Sequence, residues 1–222
     1  MAKQSRITFL VTAGPTQEAI DPVRYLTNRS SGKMGYALAE AAKNLGHTVI
    51  LISGPTKLHP PKNVNFHSVN SALQMQKTVL NHAAKSDVIL KAAAVADYRP
   101  KKMARQKIKK SSKKFILELI KNPDILLKLG KNLRDDQVLI GFAAETQNLK
   151  QHALSKLKKK NLDGIVANNV SRSDIGFDSN ENEITFFDRF GTTEVVSKSS
   201  KQKIAKYVVK KALEILHKKK GD

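Results

Sequence analysis

From Arg6 to Gly14 the chain reads RITFLVTAG, an apolar, β-branched run stopped by Gly14-Pro15, and that pattern predicts a buried strand. Beyond a polar loop, Met34, Leu38, Ala41 and Leu45 recur at helical spacing, with Ser31 placed to cap the helix and Gly46 to end it. HTVILISGP is the next strand and again closes on Gly-Pro. NVNFHSV and SDVILKAAAV follow as strands, separated by a helix over Ala72 to Lys85. KFILELI, QVLIGFA and DGIVANNV continue the series, with helices over Pro123 to Leu133 and Asn148 to Asn161. NEITFFDRFGTTEVVS reads as a β-hairpin turning at Arg189 to Thr192, and a helix over Lys201 to His217 closes the chain. This alternation predicts an α/β fold: a doubly wound, mostly parallel, Rossmann-like sheet with helices on both faces and a C-terminal β-hairpin. No repeat or linker divides residues 1–222, so a single domain is expected. Only Tyr98 to Lys114, YRPKKMARQKIKKSSKK, breaks the pattern, and its scarcity of apolar residues predicts a mobile loop.

Composition narrows the function classes. With no cysteine, the chain has no disulfide framework, thiolate nucleophile or thiolate metal ligand, which fits a reducing cytoplasm. No stretch approaches the ~20 continuous apolar residues of a membrane span, so no membrane association is expected. The net charge of +21 attracts any polyanion. Against nucleic acid as a specific partner, aromatic residues are 5% of the chain, tryptophan is absent, and no helix-turn-helix, zinc-finger or RNP pattern occurs. Lysines on solvated helix faces, as in KKALEILHKKKGD, account for much of the charge.

In a doubly wound sheet, ligands bind beyond the carboxyl ends of the strands, which here are Thr12 to Pro15, Ala93 to Asp97, Phe142 to Thr146 and Asn168 to Asn169. Standard signatures are missing there. The first strand is not followed by G-x-G-x-x-G, and a phosphate-binding loop would need glycine where Thr27 stands and Ser or Thr where Met34 stands. G-x-S-x-G does not occur, and the six histidines lack the i, i+4 pairing of a helical metal site. Three features remain: NRSSGKMG at a helix start, where backbone donors favour an anion; Lys156 and Lys160 on one helix face; and Lys107 on the charged loop. Each alone is matched by an ordinary cap, a solvated face or a charge run. Together, with Asp97 at a strand end, they point to a triphosphate whose magnesium is carried by substrate phosphates and water. The residues themselves leave the substrate open.

The order AGPTQEAIDPVRYLTNRSSGKMG, AAVADYRP, KIKK, KNPDIL, GFAAET and KKKNLDGIVANNV resembles bacterial phosphopantothenoylcysteine synthetase, the phosphopantothenate-cysteine ligase, in collinear blocks over nearly the whole chain. The resemblance implies condensation of 4'-phosphopantothenate with L-cysteine through an acyl-cytidylate, using CTP and Mg²⁺ and releasing CMP and pyrophosphate. It implies catalytic roles for Asn28 and Lys107, and acid-substrate contacts from Arg24, Asn28 and Ala94. Nucleotide contacts are implied for Ser30, Ala93, Ala94, Asp97, Lys107, Pro123, Asp124, Ile125, Leu126, Phe142, Lys156 and Lys160, with no dedicated protein metal ligand. A cytoplasmic homodimer is expected, with DPVRY to SGKMG near its interface. The flavin-dependent decarboxylase half that precedes this domain in most bacterial relatives is not seen in the sequence, and the expectation is a standalone enzyme without flavin. MARQ precedes Lys107 where relatives often have Pro-Glu, leaving the loop's local charge and closure open. Two alternatives stand beside this one: the same ligation driven by ATP, and a basic nucleic-acid-binding protein on a degenerate ligase fold.

Overall fold

The apolar runs become strands of one eight-stranded sheet in the computed structural model, which describes residues 6–110, 114–169 and 179–221. The elements in chain order are β1 (Thr8–Ala13), β2 (Gln17–Ala19), β3 (Tyr25–Thr27), α1 (Lys33–Asn44), β4 (Thr48–Ser53), β5 (Asn65–Ser68) and α2 (Ala72–Ala83). They continue as β6 (Val88–Lys91), β7 (Tyr98–Pro100), β8 (Leu119–Lys121), α3 (Ile125–Lys131), β9 (Val138–Glu145), α4 (Leu149–Lys159), β10 (Gly164–Asn169), β11 (Glu181–Asp188), β12 (Thr193–Ser200) and α5 (Lys201–Lys220). The sheet order is β12-β11-β10-β9-β6-β1-β4-β5, parallel from β5 across to β10 and antiparallel through β11 and β12. The doubly wound, Rossmann-like expectation with its C-terminal hairpin is therefore met.

Alternation along β1 explains why its run is apolar throughout. Phe9 and Val11 enter a core shared with Leu38 of α1 and Val208 of α5, whereas Leu10 enters a second core with Met75 of α2, Ile125 of α3 and Ala153 of α4. With both faces covered, no position on the strand is left for a polar residue except at its ends. Burial of each large side chain contributes roughly 1.5–3 kcal/mol.

Some local expectations change. The residue that starts α1 is Gly32, in the left-handed region at φ 79°, with no side-chain cap, so Ser31 does not cap it. Close packing favours glycine there, since a Cβ on Gly32 would lie 2.7 Å from Thr56 Cγ2; a turn later, a Cβ on Gly35 would lie 2.5 Å from the Ala13 Cβ, so glycine lets α1 rest directly on the end of β1. Phe115 and Ile116, 58% and 89% exposed, do not enter either core, and of KFILELI only Leu119 and Ile120 enter a strand, β8. Its partner β7 lies inside the segment read as a loop, and β2 with β3 makes a further small hairpin the periodicity did not indicate. Val170, the last residue of the DGIVANNV run, lies outside the described residues. Among the described residues no helix is long and apolar enough to cross a membrane.

Two histidines make the fold sensitive to acid. Burial depresses the pKa of His47, and burial together with the neighbouring His82 depresses that of His67, whose Nε2 is buried without a hydrogen-bond partner. A depressed histidine pKa means that the unfolded chain takes up protons first. Stability is thus retained above the ordinary value of about 6.5 and lost as pH falls below it. Urea midpoints measured between pH 7.5 and 5.5 are expected to fall, and His67→Gln is expected to flatten part of that slope; an unchanged slope in the variant would show that His67 is not a source.

Candidate active site

The strand order turns at β1 and β6: chain leaving β1 winds toward β4 and β5, and chain leaving β6 winds toward β9 and β10. The loops beyond these two ends separate and leave a crevice. Short hydrogen bonds stitch its floor. Ala94 N donates to Gly14 O at 2.9 Å, Ala93 N to Thr12 Oγ1 at 3.1 Å, and Ala96 N to Thr16 Oγ1 at 3.0 Å. Small residues in AAAVA therefore bring the backbone itself to the surface of the cleft.

Two depressions open over this floor. The first, about 390 Å³, is walled by Asn28 to Gly35 and by Ala92 to Ala94; the second, about 480 Å³, by Pro123 to Leu126 and Lys160. Both are lined by Lys91, Val95, Asp97, Phe142 and Lys156, so they are two ends of one cleft. Of the residues singled out in the sequence, Asn28, Ser30, Ala93 and Ala94 lie in the first end. Pro123, Asp124, Ile125, Leu126 and Lys160 lie in the second, and Asp97, Phe142 and Lys156 border both. Arg24 and Lys107 line neither.

The polar side chains are held in place by the protein. Asn28 Nδ2 donates to Ala94 O at 3.1 Å, and Ser30 Oγ accepts from Gly32 N at 3.4 Å. Asp124 caps α3 by accepting from Leu127 N at 2.9 Å and pairs with Lys160 at 2.9 Å. Burial pushes the Asp124 carboxyl up, but the α3 amide and Lys160 outweigh it and the net direction is down. Lys156 Nζ lies 2.6 Å from Glu145 Oε1, and His152 Nδ1 lies 3.1 Å from the other oxygen. Burial would raise the Glu145 carboxyl, and these two partners lower it overall.

Arg24 and the Lys107 loop share a different anchor, the buried carboxylate of Asp21. Its Oδ1 accepts from the amides of Val23 and Arg24, at 2.8 Å each. Its Oδ2 accepts from Arg24 Nε at 3.0 Å and from Ile108 N at 3.1 Å. Arg24 NH2 in turn donates to Ile108 O at 2.8 Å. Burial works to raise the Asp21 pKa, yet the guanidinium and three amides hold it far below the usual carboxylate range. One carboxylate thus ties the DPVRY turn to the residue after Lys107.

Three site residues were not anticipated: Asp21, Glu145 and Lys91. Asp21 and Glu145 stood inside quoted motifs, DPVRY and GFAAET, whose carboxylates signal a partner without naming it. Lys91 ends β6 on the floor between the two depressions, and the signal was a lysine closing an otherwise apolar strand. Among the described residues no cluster of three His, Cys, Asp or Glu could hold a metal ion.

Residues 4–216 match the family model described as DNA/pantothenate metabolism flavoprotein C-terminal domain. The chain is 51% identical over 180 residues to the coenzyme A biosynthesis bifunctional protein CoaBC of Vibrio cholerae, covering 80% of this chain and 45% of that protein. It is 51% identical over 183 residues to the protein of the same name from Bacillus subtilis, covering 82% and 45%. The chain spans about half the length of the curated relatives it matches. A solved C-terminal domain of a CoaBC protein is 43% identical, with TM-score 0.82 over 97% of each chain.

Asp21→Asn removes the charge that holds Arg24 and Ile108 together. Amide hydrogen exchange at residues 104–110 is expected to accelerate at least tenfold while the β1 and β6 amides keep their protection; unchanged exchange at Ile108 would show that the carboxylate is not the anchor.

Proposed function

This chain belongs to the DNA/pantothenate metabolism flavoprotein C-terminal domain family, and on that premise we propose that it joins 4'-phosphopantothenate to L-cysteine, driven by CTP, in coenzyme A formation in the cytoplasm. The observation that carries the reading is the continuity of the two depressions, which share Lys91, Val95, Asp97, Phe142 and Lys156. A ligase that activates an acid on a nucleotide needs two binding regions meeting where the new bond forms. Such a cleft supplies the proximity a carboxylate and a triphosphate lack in water.

The chemistry divides into two displacements. A carboxylate oxygen of the acid bonds to the α-phosphorus, and pyrophosphate leaves with the electrons of the broken bond. The amine nitrogen of cysteine then bonds to the acyl carbon, CMP leaves, and the nitrogen gives up its proton. Asn28, beside Ala94 O, is assigned to the acyl end, where its amide donates to the intermediate without adding charge. Lys156 and Lys160, with Asp97, Phe142 and the Pro123 to Leu126 turn, are assigned to the nucleotide. Lys107 is assigned to offsetting the repulsion between the two anions, its loop tightening over the triphosphate from the Asp21 anchor. Magnesium fits this donor set as an ion carried by the substrate phosphates, with Asp97 the exposed carboxylate nearest in role; bound there, it would neutralise phosphate charge. Val23 and Tyr25, 58% and 50% exposed on the β2–β3 hairpin, support a homodimer through that face.

The test is pyrophosphate release from protein, acid, cysteine and Mg²⁺ with CTP or ATP. Release with CTP is expected; release with ATP alone would replace the nucleotide, and release with neither would end the ligase reading. Lys156→Ala and Lys160→Ala are expected to raise the KM for CTP roughly 10-fold or more, from charge-assisted bonds of about 1.5–3 kcal/mol. An effect only on the cysteine requirement would contradict their placement. Lys107→Gln is expected to slow pyrophosphate release on the order of 100-fold, whereas Asn28→Asp is expected to slow the cysteine step more and let intermediate accumulate. Equal loss of the first step in both would refute the division of roles.

A further inference from the structure

Lys91 stands where the sheet calls for an apolar side chain. Along β6, Val88 and Leu90 enter the core shared with α1 and α5, and Ile89 enters the core shared with α2, α3 and α4. Period-two alternation puts Lys91 on the same face as Ile89. There it meets the cavity lined by Ile125 and Leu126. β6 is a central strand, paired with β1 on one side and β9 on the other, so the Lys91 stem rises from the middle of the sheet.

Its ammonium is poorly provided for. Lys91 Nζ donates to Ala93 O at 2.9 Å, and no carboxylate among the described residues lies within ion-pair distance of it. Asp124 is already engaged by Lys160 and by Leu127 N. The two lysines of α4 and its C-terminal end have acid partners: Lys156 has Glu145, and Lys160 has Asp124. Burial, and then repulsion from Lys160, push the Lys91 pKa down to about 8, with Asp124 and Asp97 opposing. A desolvated cation with donors to spare is stabilised by an arriving anion.

We propose that Lys91 is a phosphate-binding residue of this cleft, its ammonium meeting the α-phosphate of the nucleotide at the junction where the acyl and nucleotide ends join. The inference rests on the ligase reading for the identity of the ligand. It follows from position, since an α-phosphate is the one group that must touch both ends of the cleft. A lysine that merely braced the Lys91–Ala93 turn would have no reason to sit on an apolar face with its remaining donors toward a cavity.

The variant is Lys91→Met, which keeps length and suits the apolar wall. Calorimetric titration with CTP, CMP and cytidine, each with Mg²⁺, separates the phosphate groups, and a thermal melt reports the fold. CTP and CMP affinity are both expected to fall about tenfold or more, the loss of one charge-assisted hydrogen bond, while cytidine affinity stays the same. The melting temperature is expected to hold or rise, because a desolvated charge leaves the apolar face. Equal weakening of all three ligands, or a lowered melting temperature, would overturn the proposal in favour of a structural lysine. Weakening of CTP without CMP would overturn the α-phosphate assignment, and unchanged binding of all three would remove Lys91 from the site. Failure of the wild-type protein to bind any of the three would instead overturn the nucleotide reading, and the Lys91 proposal with it.

Discussion

The reversal of strand order between β1 and β6 is the constraint on which the rest of the cleft depends. Two neighbouring parallel strands end side by side, and their loops must leave in opposite directions, so the backbone beyond them opens into a crevice. Keeping that crevice usable requires the loops to lie low. The bond from Ala94 N to Gly14 O draws them together, and Gly35 lets the first turn of α1 approach Ala13 without a Cβ between them. A helix start with no side-chain cap consequently faces the cleft beside Asn28 and Ser30. The NRSSGKMG segment thus does geometrically what a phosphate loop does, presenting a helix start at a switch point, while using different residues.

Charge is organised on this frame by tethering. Lys156 is held by Glu145, Lys160 by Asp124, and Arg24, with the loop carrying Lys107, by Asp21. Two carboxylates of a strongly basic chain are thereby committed to orienting cations that line the cleft, and a third holds a turn and a loop outside its lining. A tethered cation is partly neutralised, but it is already in position when an anion arrives, which reduces the reorganisation that charge stabilisation would otherwise require. Lys91 differs in having a carbonyl rather than a carboxylate as its partner.

Much of this was legible in the chain itself. Both-face burial makes parallel strands read as continuous apolar runs, which is why RITFLVTAG, HTVILISGP and SDVILKAAAV identified the central strands and their ends. Most of the cleft residues came from strand ends and from motif order. The start of α1 was misassigned because Ser31 satisfies the local capping rule, whereas the choice of Gly32 is made by Gly14 and Thr56, residues distant in sequence. β2, β3, β7 and β8 are three-residue strands, too short for any period to register. Lys91 escaped notice because one lysine among 40 basic residues looks solvated, and the apolar wall beside it comes from α3, which lies more than 30 positions onward.

The central claim is that one continuous cleft forms an acyl-nucleotide between its two ends. Isotope transfer reports that bond directly. With ¹⁸O in the carboxylate of phosphopantothenate, complete turnover with CTP and cysteine is predicted to place one ¹⁸O atom in the phosphate of CMP. Label found in inorganic phosphate, or label absent from CMP while product forms, would contradict the acyl-cytidylate and the assignment of the two ends of the cleft.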